Sequence, residues 1–292
     1  MLGSANLDLV FSVERIPSPG ETVLATSTAS HAGGKGLNQA VAAARAGAST
    51  TMIGAVADDD AGRVLRAVMH DADIDSRLVR LSSEPTGQAM IAVDPSAENS
   101  IIVAAGANAT LTSLTDADRA AIRSAAVLLM QLEVPIATVT DAALAARESG
   151  VVVMLNAAPA NELPDELLAS LDYLIVNEHE ASVVSGIDDL ARATEELATR
   201  VGRLVVTLGS DGCELWEGGT LAAKLPARRV TAVDTTGAGD TFCGAFAAAI
   251  AEGADYEAAG HFATVAASLS VQSHGAVPSI PLRADIEAVL GA

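Results

Sequence analysis

The sequence predicts an α/β protein with a doubly wound, mainly parallel sheet flanked by helices and a small β-sheet lid. Three observations carry this expectation. Short, continuous apolar runs alternate with helical stretches over most of the chain, the pattern of a parallel sheet covered on both faces. Two pairs of strand-like segments have no helix between their members, so they read as antiparallel hairpins. The 292 residues are enough to bury one sizeable core, so a single domain over 1–292 is expected.

The elements follow in order. LDLVFSV (7–13) and TVLATSTAS (22–30) flank a Pro17-Ser18-Pro19-Gly20 turn and form the first hairpin. GLNQAVAAARAG (36–47) is helical, TTMIGAV (50–56) a strand, and AGRVLRAVMHDA (61–72) a helix. GQAMIAV (87–93) and NSIIVAA (99–105) form the second hairpin around the loop 94–98, so the lid comprises about 6–31 and 87–105. Strands AVLLMQL (126–132), VVVML (151–155), YLIV (173–176) and RLVVTL (203–208) then alternate with helices 136–150 and 193–202. CELWEGGTLAAKL reads as a hairpin in which Trp216 packs, and a last helix runs from about 239 to 252, with Gly253 as its C′ residue. Only Met1 and Leu2 precede Gly3, so the first strand is expected to be clipped and the start a late one.

Charge and composition exclude several classes. With 17 basic against 37 acidic residues the net charge is −20, which argues against nucleic-acid binding. It also repels anions at long range, so a phosphate-bearing ligand needs helix N-termini, backbone amides or bound cations. No apolar run approaches the ~20 residues of a membrane span, and without a basic n-region followed by an apolar h-region in its first residues no secretory signal is expected. Cys213 and Cys243 are too few for a disulfide framework, and a cytoplasmic protein with no membrane partner is expected. The five histidines lack ligand spacing and read as surface or satisfied core groups.

Two glycine-rich stretches carry the chemistry. In HAGGKGLNQA (31–40) the glycines at 33, 34 and 36 let backbone approach a ligand. It is not a P-loop, since Ala29 and Gly36 occupy the positions where that pattern needs Gly and Ser or Thr. Lys35 is one of only two lysines, which points to a specific amine. In VDTTGAGDTFCGAF (233–246), Phe242 stands where a dinucleotide fingerprint needs glycine. Amides at Gly237, Ala238, Gly239 and Asp240 would instead hold an anion at the positive end of a helix. N-capping explains one aspartate or threonine, but not two glycines beside it. Glu133, Asn6 with Asp8, NEHE (177–180) and TLGSDG (207–212) all follow apolar strands, and strand C-termini are where open α/β sheets place ligand groups.

Together, AGGKGLNQA and DTTGAGDTFCGAF, in this order and within a match running from GSANLD at residue 3 to GAVPSIP at 275–281, resemble the ribokinase branch of the PfkB carbohydrate kinase family. The resemblance implies a ribokinase-like fold, a lid that forms a homodimer contact, and ATP-dependent phosphorylation of the 5-hydroxyl of D-ribose to D-ribose 5-phosphate. It makes Asp240 the catalytic base and Gly237, Ala238 and Gly239 the anion hole. It assigns the sugar to Asn6, Asp8, Gly34, Lys35, Asn38 and Glu133, and ATP to Asn177, Thr207, Gly209 and Gly212, with Glu180 supporting Mg²⁺ and phosphate. It places K⁺ at Asp234, Thr236, Ser270, Ser273, Gly275 and Ser279, partly through carbonyl oxygens. Another acceptor (2-deoxyribose, a ketose such as fructose, or a nucleoside) and a non-catalytic sugar-binding regulator remain alternatives.

Overall fold

The computed structural model describes residues 1–96 and 98–291. Ala97, inside the expected loop 94–98, and Ala292 lie outside them. The chain begins with β1 (Asn6–Val13), β2 (Ala25–Gly33), α1 (Lys35–Arg45), β3 (Thr51–Ala57), α2 (Asp60–Asp71) and β4 (Asp75–Ser82). It continues with β5 (Gly87–Val93), β6 (Asn99–Ala104), α3 (Asp116–Ser124), β7 (Val127–Met130), α4 (Ile136–Glu148) and β8 (Val152–Asn156). Next come α5 (Asp165–Ser170), β9 (Tyr173–Asn177), α6 (Glu178–Ser185), α7 (Leu190–Arg200), β10 (Arg203–Thr207), β11 (Cys213–Glu217) and β12 (Thr220–Leu225). The last helices are α8 (Ala238–Ala251), α9 (Tyr256–Ser270), α10 (Ala276–Ser279) and α11 (Arg283–Leu290).

The main sheet runs β12-β11-β10-β9-β8-β7, parallel from β7 to β10 and antiparallel through β11 and β12. Its strands alternate between two cores. Leu128, Val153, Leu155, Leu174 and Val176 pack with α4 to α7 on one face. Leu129, Met154, Tyr173 and Ile175 pack with α8 and α9 on the other, where Phe246 meets Tyr173 edge to face at 5.5 Å. Period-2 strands buried on both sides therefore produce the continuous apolar runs of the sequence.

The parallel pair β3-β4 joins this sheet through two residues. Leu2 bridges Ile53 and Met130. Its amide donates to the Leu129 carbonyl at 3.1 Å, and the Ile53 amide donates to the Met1 carbonyl at 2.8 Å. The expected first core strand is thus a single bridge at Leu2. Asn6 and Asp8 are the first and third residues of lid strand β1, a correction to their expected place at the end of a core strand. They still share a face, because alternate residues of a strand do.

The second sheet has the order β2-β1-β5-β6, and joins the two expected hairpins by parallel pairing of β1 with β5. In register, Asp8 lies beside Ala89 and Val103, and Val10 beside Ile91 and Ile101. Leu9, Met90 and Ile102 occupy the opposite face. All five histidines are exposed, and among the described residues no helix is long and apolar enough to cross a membrane.

Candidate active site

The site forms where the C-terminal ends of the parallel strands meet the N-termini of α1 and α8 and the start of β1. Helix α8 begins at Gly237, whose φ of 75° is left-handed. A Cβ there would also sit 2.8 Å from that of Ala276, so only glycine lets the turn close against α10. Among the described residues the amides of Gly237, Gly239 and Asp240 have no protein partner, whereas that of Ala238 donates to the Thr235 carbonyl at 3.2 Å. The expected set of anion-holding amides is accordingly narrower at Ala238. Asp240, buried in the first turn of α8, accepts from Asn38 Nδ2 at 3.0 Å on Oδ2 and from Gln39 Nε2 at 2.9 Å on Oδ1.

The glycine-rich stretch enters α1 through Gly34, with φ 86° and no room for a Cβ, which would lie 2.7 Å from the Asn6 amide nitrogen. Residues 35, 38 and 39 then share one helix face, bringing Lys35, Asn38 and Gln39 together beside Asp240. Glu133, just after β7, is a hub. Its Oε2 accepts from the Lys35 amide at 3.0 Å, from Asn6 Nδ2 at 3.4 Å and from the Ser4 hydroxyl. Asn6 is itself fixed by Asn108, whose Nδ2 donates to its Oδ1 at 2.7 Å.

Electrostatics tie these groups together. Burial, then Glu133 and Asp240, pushes the Asp8 carboxyl up to about 7. Burial pulls the Lys35 ammonium down, but Asp240, Glu133 and Glu180 outweigh it and its pKa ends raised. Burial raises the Glu180 carboxyl, with hydrogen bonding to Asn177 and the charge of Lys35 opposing it. Three carboxylates, Asp240, Glu133 and Glu180, therefore act on one ammonium, with Asp8 beside two of them, an arrangement suited to a ligand that arrives with cations.

Asn177 and Glu180 cap α6 reciprocally. The Glu180 amide donates to Asn177 Oδ1 at 2.8 Å, and the Asn177 amide to Glu180 Oε2 at 2.9 Å. Thr207 ends β10 and donates to the Val176 carbonyl at 3.3 Å. The following turn uses Gly209 (φ 55°) and Gly212 (φ 96°), and a Cβ on Gly212 would lie 1.9 Å from the Leu225 carbonyl.

Behind the α8 N-terminus, Asp234 accepts from the Thr236 amide at 2.9 Å and the Gly275 amide at 2.8 Å. Although burial opposes it, these hydrogen bonds lower the Asp234 pKa. The Val233 and Asp234 amides both donate to the Val271 carbonyl, holding this turn against the end of α9. Ser270 and Ser279 are buried with hydroxyls on the Ala267 and Ala276 carbonyls, while Ser273 is exposed. The donor set is all oxygen, which suits a hard monovalent cation.

Sequence reasoning located the charged and glycine positions but not Ser4, Gln39, Asn108, Gln131 and Asn156. Gln131 and Asn156 end apolar strands as lone polar residues, which was the available signal. A separate cavity of 490 Å³ lies at the opposite end of the sheet, lined by Met1, Ala48, Thr51, Val127 and Ala248, and none of the site's carboxylates borders it.

A profile described as pfkB family carbohydrate kinase matches residues 1–283. The chain belongs to the PfkB carbohydrate kinase family. A ribokinase of Haemophilus influenzae is 39% identical over 97% of this chain and 95% of its own. One of Bacillus subtilis is 39% identical over 99% and 98%. The structure of Arabidopsis thaliana ribokinase complexed with ribose and ATP superposes with a TM-score of 0.93 at 36% identity, covering 100% of this chain and 97% of that one.

Proposed function

We propose that the protein is an ATP-dependent sugar kinase that phosphorylates the 5-hydroxyl of D-ribose, giving D-ribose 5-phosphate and ADP. The observation that carries the reading is the placement of a buried carboxylate, Asp240, in the first turn of a helix whose neighbouring amides at Gly237 and Gly239 have no protein partner. Phosphoryl transfer requires in-line positioning and dispersal of negative charge rather than covalent catalysis. Asp240 orients the primary hydroxyl and accepts its proton. The amides of Gly237 and Gly239, assisted by Ala238, stabilise the transferring phosphoryl at the helix N-terminus. Asn6, Asp8, Gly34, Lys35, Asn38 and Glu133 hold the sugar, and Asn177, Thr207, Gly209 and Gly212 hold the nucleotide. The β2-β1-β5-β6 sheet closes over the sugar and excludes water.

Mg²⁺ supplies charge neutralisation on the nucleotide, and the excess of carboxylates over Lys35 fits a site that receives its cations with ATP. Glu180 supports that ion and the phosphates. Asp234, Thr236, Ser270, Ser273, Gly275 and Ser279 would hold K⁺, several of them through carbonyl oxygens. The close approach of Gly237 to Ala276 links that loop to the anion-holding turn, so a cation held there would brace the amides.

An ADP-release assay over pentoses, ketoses and nucleosides, with Mg²⁺ and K⁺ each present or omitted, tests the reading. Ribose is expected to be the preferred acceptor, with activity lost without Mg²⁺ and reduced without K⁺. Asp240→Asn is expected to keep ATP and ribose binding while lowering kcat by about 10²–10⁴-fold. Near-normal turnover in that variant removes Asp240 as the base.

A further inference from the structure

Asp240 is held by neutral amide donors. Both its oxygens are occupied by amide side chains from one helix, and the second of these belongs to a buried polar chain running back into the sheet. Gln39 is fully buried. Its Nε2 donates to Asp240 Oδ1 at 2.9 Å and to Asn156 Oδ1 at 3.0 Å, and its Oε1 accepts from Gln131 Nε2 at 2.6 Å. Asn156 is oriented in turn by donating its Nδ2 to the Ile175 carbonyl at 3.2 Å. Gln131 is also fully buried and lies against Gly3, where a Cβ would fall 2.0 Å from its Oε1.

A glutamine amide can flip, exchanging donor for acceptor at little steric cost. A flipped Gln39 would present its carbonyl oxygen to the Asp240 carboxylate and its NH₂ to the Gln131 NH₂, opposing like groups at both ends. Asn156, anchored on the Ile175 carbonyl, and Gln131 therefore together favour the amide orientation that serves Asp240. We propose that Gln39 is a positioning residue for the base, locked by Gln131 and Asn156 at the ends of β7 and β8, so that the sheet sets the aim of the carboxylate. Asn38 holds the other oxygen, and Gln39 fixes the rotation of the carboxylate about that contact. Side chains linked in a buried hydrogen-bond chain act together rather than singly, and an error of about 1 Å at a reacting group can cost on the order of 100-fold in rate.

The inference rests on Asp240 being the base, and the test separates the two claims. Gln39→Met keeps the side chain's volume and removes the donor; Gln131→Met removes one of the two groups that orient Gln39 and touches Asp240 nowhere. The expected results are a fall in kcat of about 10- to 100-fold for Gln39→Met and a smaller fall for Gln131→Met, with the KM values for sugar and ATP within about threefold of wild type. The double variant is expected to be no slower than Gln39→Met, because Gln131 acts through Gln39. In an Asp240→Asn background, Gln39→Met is expected to change the residual rate by less than about twofold. A merely structural role predicts unchanged kcat per folded molecule, or rate losses that add in the double variant and persist without Asp240; any of these overturns the proposal. Normal turnover in Asp240→Asn overturns the base assignment, and a dead Asp240→Asn beside a wild-type kcat in Gln39→Met overturns the role of Gln39 alone. If Gln39→Met does not fold, the kcat and KM of Gln131→Met decide the matter, wild-type values contradicting the proposal.

Discussion

Asp8 sits among the site's carboxylates, and burial, then Glu133 and Asp240, pushes its carboxyl up to about 7. An unfolded aspartate titrates near 3.9, so between about pH 4 and 7 the folded chain binds more proton than the unfolded chain, and stability falls as pH rises through that window. The cost is complete above pH 7 and absent below pH 4. Asp8→Asn is therefore expected to melt at a higher temperature than wild type at pH 8, with the gap closing towards pH 4, while sugar affinity falls. Thermal melts of both proteins across that range check this, and a gap of constant size contradicts it. Asp8, Lys35 and Asp240 were legible in the sequence because charged groups stand out beside glycines or at the ends of apolar segments. Gln39, Gln131 and Asn156 were not, since an amide inside an apolar run declares neither its burial nor its partner.

Helices α1 and α8 deliver most of the site and approach each other closely at Gly244. A Cβ there would lie 2.4 Å from the Gln39 carbonyl oxygen and 2.5 Å from the Ala42 Cβ. Gly244 is one turn beyond Asp240 on the same face, so the spacing of the two helices sets the distance from Asp240 to Asn38 and Gln39. Gly244→Ala is expected to cost about 1–3 kcal/mol of stability by overpacking and to lower kcat more than it changes KM. Denaturant melts and steady-state kinetics check both effects; unchanged stability and rate would mean that the helices part without consequence. Both helices were visible in the sequence from their glycine-rich entries. Strand β4 was not assigned because charged residues interleave DSRLVRLS and leave no bounded apolar run; the alanine-rich α9 was not assigned although Asp255 caps its start. β1 lies in the hairpin expected for it, but Asn6 and Asp8 were also read as closing a core strand, because a strand that begins directly after a core bridge reads as continuous with it.

Over the whole molecule, the two cores on the main sheet explain why the fold class was readable: every parallel strand buries both faces. The lid is different. It is a single layer whose Met90, Ile101, Ile102 and Val103 are about half exposed or more, and apolar surface of that kind marks an interaction site. We propose that two copies pair through these sheets. Light scattering is expected to give a dimer for wild type and a monomer for a variant carrying Ile101→Glu and Ile102→Glu, and a monomeric wild type contradicts the pairing. The sequence yielded the lid's two hairpins but not their joining through β1 and β5, since parallel pairing of distant segments leaves no local signal.

The reaction proposed for this site is transfer of the ATP γ-phosphoryl to the 5-hydroxyl of ribose. NMR of the product formed from ATP and ¹³C-labelled ribose tests it most directly. A stoichiometric sugar monophosphate whose C5 resonance is split by phosphorus is expected. Phosphate at another carbon, or ADP and inorganic phosphate with the sugar unchanged, would contradict it.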